Sequence, residues 1–200
     1  MTVSFATEPK DSRSALEDGL RTLAGNPTRI AQAHLAAIAG AKAPPPLPVT
    51  VFPLDELAAG KDPRGASPIA WQYLLVTNDQ PVRTAEVIRD SQGRFTFAAI
   101  SGGQAAGVAR AIEVAETTQA TAGGNYELRL IRVPALYVTA VWLQDRSRKA
   151  DDFFVVVPPA PEGFQSHILE PAADFMKKLQ SAAVAKQRPT RPVSSPSLTN

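Results

Sequence analysis

The chain from residue 69 to residue 100 shows the two-residue hydrophobic period of β-strands. Its first run places Trp71 and Tyr73 on the same face. Turn-forming residues follow at 78–81 and at 90–93, and each turn leads into another run of strand-forming residues. The pattern therefore predicts three strands that are joined by short turns and form an antiparallel meander.

The N-terminal part of the chain has a helical period instead. Leu16, Leu20 and Leu23 are spaced to make one apolar stripe, and Ser14 with Glu17 fits a capping box at the start of the helix. A Gly-Asn-Pro sequence ends this helix, and a second helical pattern follows it. Residues 1–42 are therefore predicted to form a helical hairpin with helices at 11–25 and 29–39.

Two later segments also predict helices. Residues 101–118 follow the third strand of the meander directly, with Ser101 in the position of an N-cap, and are predicted to form a crossover helix. Residues 170–187 carry Phe175 and Leu179 on one apolar face. This second segment predicts a C-terminal helix.

Two apolar runs between residues 126 and 143 keep the same alternation across Pro134. They are interpreted either as one long strand bent at the proline or as a tight reversal between two strands. The bend is favoured because the segment has no Asn-Gly or Gly-Gly pair to form a two-residue hairpin. A further short strand is predicted at 153–157.

The segment 43–68 contains seven prolines, which is typical of a semi-rigid linker, and residues 49–52 within it predict a short edge strand. The folded core is then expected at 69–187, followed by a disordered basic tail at 188–200. The predicted fold class is α+β. It comprises an antiparallel sheet of five to six strands with the crossover helix and the C-terminal helix packed on it.

Composition excludes several kinds of chemistry. The chain has no cysteine, so disulfide, thiolate and iron–sulfur sites are excluded. His34 and His167 have no carboxylate or second histidine at ligand spacing, so neither a metal site nor a cofactor is predicted. No run approaches the roughly 18 apolar residues of a membrane-spanning helix. With no basic-then-apolar export signal at the N-terminus, a cytoplasmic location is expected.

The charges do not favour a nucleic-acid partner. The chain has 21 basic and 19 acidic residues, but Lys186, Arg188 and Arg191 lie in a C-terminal segment without acids. Without these three, 18 basic residues stand against 19 acidic ones. A nucleic-acid-binding domain is expected to carry its basic excess on the folded part.

One candidate ligand site can be drawn from the sequence. Ser101, Gly102 and Gly103 lie between a predicted strand and a predicted helix, where backbone N–H groups can bind an anion. Their spacing differs from dinucleotide-binding and P-loop motifs, so a tight turn with close helix packing is the other interpretation. With the strand aromatics Trp71 and Trp142 they would line a cleft between sheet and helix.

The run 136–143 is apolar on both of its alternating faces, so both faces of the predicted strand need cover. One face can meet the helices of the core. The other face, formed by Tyr137, Thr139, Val141 and Leu143, is predicted to contact a protein partner or a second copy of the chain. The N-terminal hairpin is the alternative cover.

No catalytic signature is present in the sequence. Adjacent carboxylates at Asp151 and Asp152 follow several basic residues, and local charge compensation in a solvated loop is expected for them. The sequence therefore favours a non-catalytic protein-binding or assembly module. The alternative is a small-molecule-binding or hydrolytic domain.

Overall fold

A computed structural model describes residues 2–25, 28–38, 40–118, 124–147 and 151–187. The described chain is an α+β fold in which nine strands form one mostly antiparallel sheet that is accompanied by five helices. The predicted basic tail at 188–200 lies outside the described residues. The strands are β1 Thr2–Phe5, β2 Leu47–Val51, β3 Ala70–Thr77, β4 Gln80–Arg89, β5 Phe95–Ser101, β6 Asn125–Val133, β7 Val138–Asp145, β8 Phe153–Val156 and β9 Leu169–Pro171. The helices are α1 Ser12–Gly25, α2 Arg29–Ala37, α3 Leu54–Ala58, α4 Ala105–Thr117 and α5 Ala172–Gln187.

The strand order across the sheet is β5-β4-β3-β2-β6-β7-β8-β9, with β1 beside the first half of β6. Both β1 and β2 run parallel to β6, and the other pairs are antiparallel. The meander β3-β4-β5 follows the prediction. The predicted count of five to six strands is wrong, because β1 and β9 are too short to show a clear alternation.

The proline-rich segment 43–68 is not a free connector, since it supplies β2 at the middle of the sheet. This strand pairs with β3 on one side and with β6 on the other. Leu47 and Val49 are almost completely buried against α4. The prediction of an edge strand is therefore wrong, because the apolar surface that these residues bury keeps the strand inside the sheet despite Pro48.

The segment 126–143 is a β-hairpin rather than a bent strand. β6 and β7 pair in antiparallel register up to Val133 and Val138. A 3-10 turn at Pro134–Leu136 reverses the chain, and Tyr137 completes it with a left-handed φ of 56°. Tyrosine thus occupies a backbone position that asparagine or glycine usually takes, which is why no turn motif was visible in the sequence.

The predicted N-terminal hairpin exists as α1 and α2, but strand β1 precedes it and its caps differ. Helix α1 starts at Ser12, so Ser14 lies inside the helix and the proposed capping box is wrong. Ser12 is buried, and its Oγ lies 2.8 Å from the hydroxyl of Tyr73 on β3. That hydroxyl also donates a hydrogen bond to Glu8, and burial raises the pKa of Tyr73 above its usual value.

Helices α4 and α5 also begin later than predicted. The residue before α4 is Gln104, and Ser101 instead ends strand β5, so the predicted N-cap at Ser101 is wrong. Helix α5 starts at Ala172, because residues 169–171 pair with β8. No residue pattern in the sequence shows where each of these strands ends and the following helix begins.

The hydrophobic side chains form a cluster on each side of the sheet and a third beneath α1. The α4 cluster covers one face, and Val141 and Leu143 of β7 belong to it. On the opposite face, α3 and α5 cover the residues of β6–β8, including Trp142 and Phe154. Helix α1 covers β3–β5. Both faces of β7 are therefore covered within the chain itself.

Gly19 sets how closely α1 approaches the sheet. A Cβ added at this position would lie 2.1 Å from Cγ of Phe97 on β5. We expect Gly19→Ala to lower the free energy of unfolding by about 1–3 kcal/mol through overpacking, although alanine favours a helix by up to about 1 kcal/mol. Gly25→Ala, on the same helix with no neighbour within 4 Å, is the control. Urea denaturation measures both variants, and equal stabilities would contradict this packing.

Candidate functional site

The structure separates the four residues that were predicted to bind a partner. Val141 and Leu143 are completely buried under α4, so they cannot contact another protein, and this part of the prediction is wrong. Thr139 is half-buried. Tyr137 is 80% exposed at the tip of the β6–β7 hairpin and is the one residue of the set with a fully open side chain.

The five predicted ligand-binding residues do not form one site. Trp71 packs beneath α1 on β3, and Trp142 packs beneath α5 on β7. These strands are three positions apart in the sheet, which is about 14 Å at the usual strand spacing. Ser101, Gly102 and Gly103 are exposed at the end of β5, where the Gly103 N–H donates to Ser101 Oγ.

The first candidate site is the outer edge of β5. Within the described residues, β5 pairs with β4 on one side and with no strand on the other. Its sequence, Phe95 to Ser101, carries no charge and no proline. Natural edge strands usually carry a charged residue or a proline, which prevents pairing with another chain. A β-bulge at Ala98 is the one feature of this strand that disturbs its regular edge.

The backbone of β5 presents hydrogen-bonding groups along this edge. Asp90 donates its N–H to the carbonyl of Arg94 and accepts the N–H of Arg94 at its side-chain Oδ1, so these two residues form a hydrogen-bonded pair next to the strand ladder. Because such pairs alternate along antiparallel strands, Thr96 points its N–H and C=O toward β4. Phe95 and Phe97 then point theirs to the open side.

An apolar groove of about 380 Å³ lies beside this edge, between α1 and β5. The side chains of Phe95 and Phe97 form its floor, and Gly19 on α1 brings the helix close to them. A strand added to the edge would place its side chains opposite Phe95 and Phe97 on the same face of the sheet as the groove. The other residues that line the groove are Ala15, Asp18, Thr22, Leu23 and Thr96.

The second candidate site is a pocket of about 410 Å³ on the α5 side of the sheet. The loop after α3, the start of β8 and the N-terminal half of α5 form its three walls. Phe154, Met176, Ala172 and Ala173 supply apolar surface. The charged residues in its lining are Lys61, Asp62, Arg64, Asp151, Asp152 and Lys177.

A buried carboxylate holds the inner wall of this pocket. Asp152 is 4% exposed and accepts two hydrogen bonds from Arg64, through Nε at 2.8 Å and through Nη2. Trp142 Nε1 and the backbone N–H of Asp145 donate two more, at 2.9 and 2.8 Å. The expectation of solvated, local charge compensation is therefore wrong for Asp152, whose partner comes from a loop 88 residues away.

The four hydrogen bonds that Asp152 accepts limit what this carboxylate can do chemically. A general base needs a free lone pair for the proton that it takes up. Both carboxylate oxygens of Asp152 already accept two hydrogen bonds each, so neither has a free lone pair. Asp152 therefore fixes the pocket wall, and its neighbour Asp151, which is exposed, remains accessible at the pocket.

The two histidines lie away from both sites. His34 Nδ1 accepts a hydrogen bond from Arg83 at 3.0 Å, and His167 lies in the loop before β9. Nowhere in the described ranges do three or more histidine, aspartate or glutamate side chains group as they would around a metal ion. No helix in the described part of the chain is long and apolar enough to cross a membrane.

Sequence reasoning missed both sites for different reasons. The uncharged run of β5 was visible at the end of a predicted meander, where an edge strand is expected, so this signal was available. Nothing in the sequence links Arg64 to Asp152, since only the fold brings them together. Comparison with protein-family models, curated proteins and solved structures finds no match to this chain.

Proposed function

We propose that this chain is a non-catalytic protein-binding module that binds an extended segment of a partner protein at the edge of β5. The observation that carries the proposal is the open, uncharged edge of β5 beside the α1–β5 groove. In binding by strand addition, backbone hydrogen bonds supply affinity and adjacent pockets supply specificity. This edge offers both features. The partner thus meets a strand edge rather than the strand face that the sequence analysis proposed.

The groove favours a partner peptide over a second copy of this chain. If two copies paired through β5 about a two-fold axis at Thr96, Phe97 and Phe95 of the other copy would lie opposite Phe95 and Phe97. Those rings already pack beneath their own α1, so they are not free to fill the groove of the neighbour. An extended peptide with its own apolar side chain fills this space.

The chemistry of the groove defines the segment that it accepts. Its floor is aromatic. The helix side has the small residues Ala15 and Gly19 together with Asp18, whose charge is paired with Arg21. This leaves room for one aliphatic or aromatic side chain from the added strand. We therefore expect an extended, largely uncharged segment with a large apolar residue that faces α1 and neighbours that face away from it.

Selection of binders from a library of random peptides displayed on phage tests the proposal. The selected peptides are expected to contain a large apolar residue flanked by strand-forming residues. In the complex, the amide hydrogens of Phe95 and Phe97 are expected to exchange at least tenfold more slowly, while that of Thr96 changes less. Amide hydrogen exchange measured by NMR reads out these positions separately.

Two substitutions on α1 test the groove. Thr22 lines the groove, and Thr22→Trp is expected to weaken peptide binding at least tenfold by filling it, since most of the burial of one apolar side chain is lost. Glu17 is exposed on the same helix outside the groove, so Glu17→Trp is the matched control. Fluorescence anisotropy with one selected peptide measures both affinities.

Several outcomes would count against strand addition at β5. Selected peptides that protect amides elsewhere, or that bind Thr22→Trp as well as the unaltered chain, would contradict it. So would failure to select any peptide. The amide hydrogens of Phe95 and Phe97 could instead be protected without peptide, while sedimentation velocity shows a concentration-dependent dimer. That result would mean that a second copy of the chain, rather than a peptide, binds the β5 edge.

A further inference from the structure

The pocket between the loop after α3, β8 and α5 is separate from the β5 edge and has the size of a small-molecule site. Its volume of about 410 Å³ lies within the range of small-molecule sites, which is roughly 300–1,000 Å³. The pocket lies on the side of the sheet that α5 covers, toward the end of the strand order opposite to β5. A ligand here would not compete with a strand added at β5.

The apolar part of the pocket comes from two elements. Phe154 lies at its base, in a stack between Trp142 and Phe175 with centroid distances of 5.7 and 4.4 Å. Met176 on α5 is partly buried and adds a flexible apolar side chain. Phe154 itself is 1% exposed, so Met176, Ala172 and Ala173 supply the open surface for the hydrocarbon or aromatic part of a ligand.

The charged groups of the pocket divide into paired and unpaired ones. Arg64 is neutralised by Asp152, and Lys61 forms an ion pair with Glu56 at 3.1 Å, outside the pocket lining. Lys177 on α5 has no ion pair with any described residue, and the same holds for the carboxylates of Asp62 and Asp151. The pocket therefore presents unpaired charges of both signs beside apolar surface.

Arg64 adds a further donor. Its Nε and Nη2 are used by Asp152, whereas Nη1 makes no hydrogen bond with a described residue. The Arg64 side chain is about one-quarter exposed and forms part of the pocket lining. Together with Lys177, Arg64 supplies donors for a ligand carboxylate. Asp151 and Oδ2 of Asp62 supply acceptors for a ligand ammonium, since Oδ1 of Asp62 already accepts the backbone N–H of Arg64.

We propose that this pocket binds a free α-amino acid with a large apolar side chain. The side chain packs on Met176, Ala172 and Ala173. The carboxylate is bound by Lys177 on α5, with Arg64 as a further donor, and the ammonium is bound by Asp151 and Asp62. A ligand with only a carboxylate leaves the two aspartates uncompensated. A ligand with only an ammonium leaves the charge of Lys177 uncompensated. The zwitterion satisfies both sets.

Isothermal titration of the full chain tests this assignment. The probes are L-phenylalanine, L-leucine, L-methionine and L-tryptophan, with 3-phenylpropionate and phenethylamine as the analogues that lack one charge. At least one of the amino acids is expected to bind saturably. L-Phenylalanine is expected to bind at least tenfold more tightly than either analogue, because each analogue loses one charge-assisted hydrogen-bonded contact. Absence of saturable binding by all four amino acids, or equal affinities for L-phenylalanine and the two analogues, would overturn it.

Charge variants assign the two poles of the ligand. Lys177→Gln is expected to weaken the binding of L-phenylalanine at least tenfold but not that of phenethylamine. Asp151→Asn is expected to weaken the binding of L-phenylalanine but not that of 3-phenylpropionate. Lys178→Gln is the matched control, since Lys178 pairs with Glu170 and does not line the pocket. An equal effect of the Lys177 and Lys178 variants would overturn the assignment. Circular dichroism establishes that each variant is folded.

Discussion

Replacing Asp152 with alanine is expected to lower the free energy of unfolding by about 3–5 kcal/mol, the usual cost of removing one partner from a buried ion pair. The variant leaves the Arg64 guanidinium without its counter-charge. It also leaves the N–H groups of Trp142 and Asp145 without the oxygens that accept them now. Unsatisfied buried donors cost about 1–3 kcal/mol each, so the effect does not depend on the ion pair alone. Urea denaturation monitored by far-UV circular dichroism measures it.

Two further variants separate the causes of that loss. Asp151→Ala changes the exposed neighbour and is expected to stay within about 0.5 kcal/mol of the unaltered chain. Asp152→Asn keeps an oxygen for one or more of the donors but loses the charge, so its stability is expected to fall between the other two. If Asp152→Ala is no less stable than Asp151→Ala, the four hydrogen bonds to Asp152 do not hold this part of the fold together.

The second large effect is expected at Phe154. This ring is 1% exposed and stacks between Trp142 and Phe175 at the centre of the α5 cluster. Phe154→Ala is expected to cost about 3–5 kcal/mol, since it removes a large buried side chain and leaves a cavity. Near-UV circular dichroism is expected to weaken as well, because Trp142 loses the ring that fixes its environment.

A ring at the margin of the same cluster provides the comparison. Phe164 is partly buried and meets Phe175 edge to face at 5.9 Å, so Phe164→Ala is expected to cost clearly less than Phe154→Ala. Chemical denaturation of both variants gives the ranking. The reverse order would show that the loop at 161–167, rather than the stacked rings, secures α5 to the sheet.

The sequence predicted the elements whose patterns are local. Alternation along β3, β4 and β5 and the turn at Asn78 and Asp79 were readable, because both turn residues tolerate the positive φ that they adopt. Helices α1, α4 and α5 were found for the same reason, with errors of a few residues at their starts. Such boundaries depend on strand pairs that form only in the folded chain.

What the sequence did not show depends on distant partners. A strand was predicted at 49–52, but its inner position is set by its neighbours β3 and β6, whereas Pro48 favours an edge strand. The hairpin at Pro134 uses a left-handed tyrosine instead of a turn motif. Cover for Val141 and Leu143 comes from α4, so the excess of apolar positions in β7 reflects a strand buried on both faces rather than an interface.

The parallel pairing of β1 and β2 with β6 has a consequence for synthesis of the chain on the ribosome. Thr2 of β1 pairs with Asn125, and Val49 of β2 pairs with Leu130. Both strands are therefore made before β3–β5 and α4, and neither has its neighbour β6 until those elements have been made. During that interval β3–β5 can assemble from local contacts, but the centre of the sheet cannot close. Closure of the sheet therefore has to wait for the synthesis of β6.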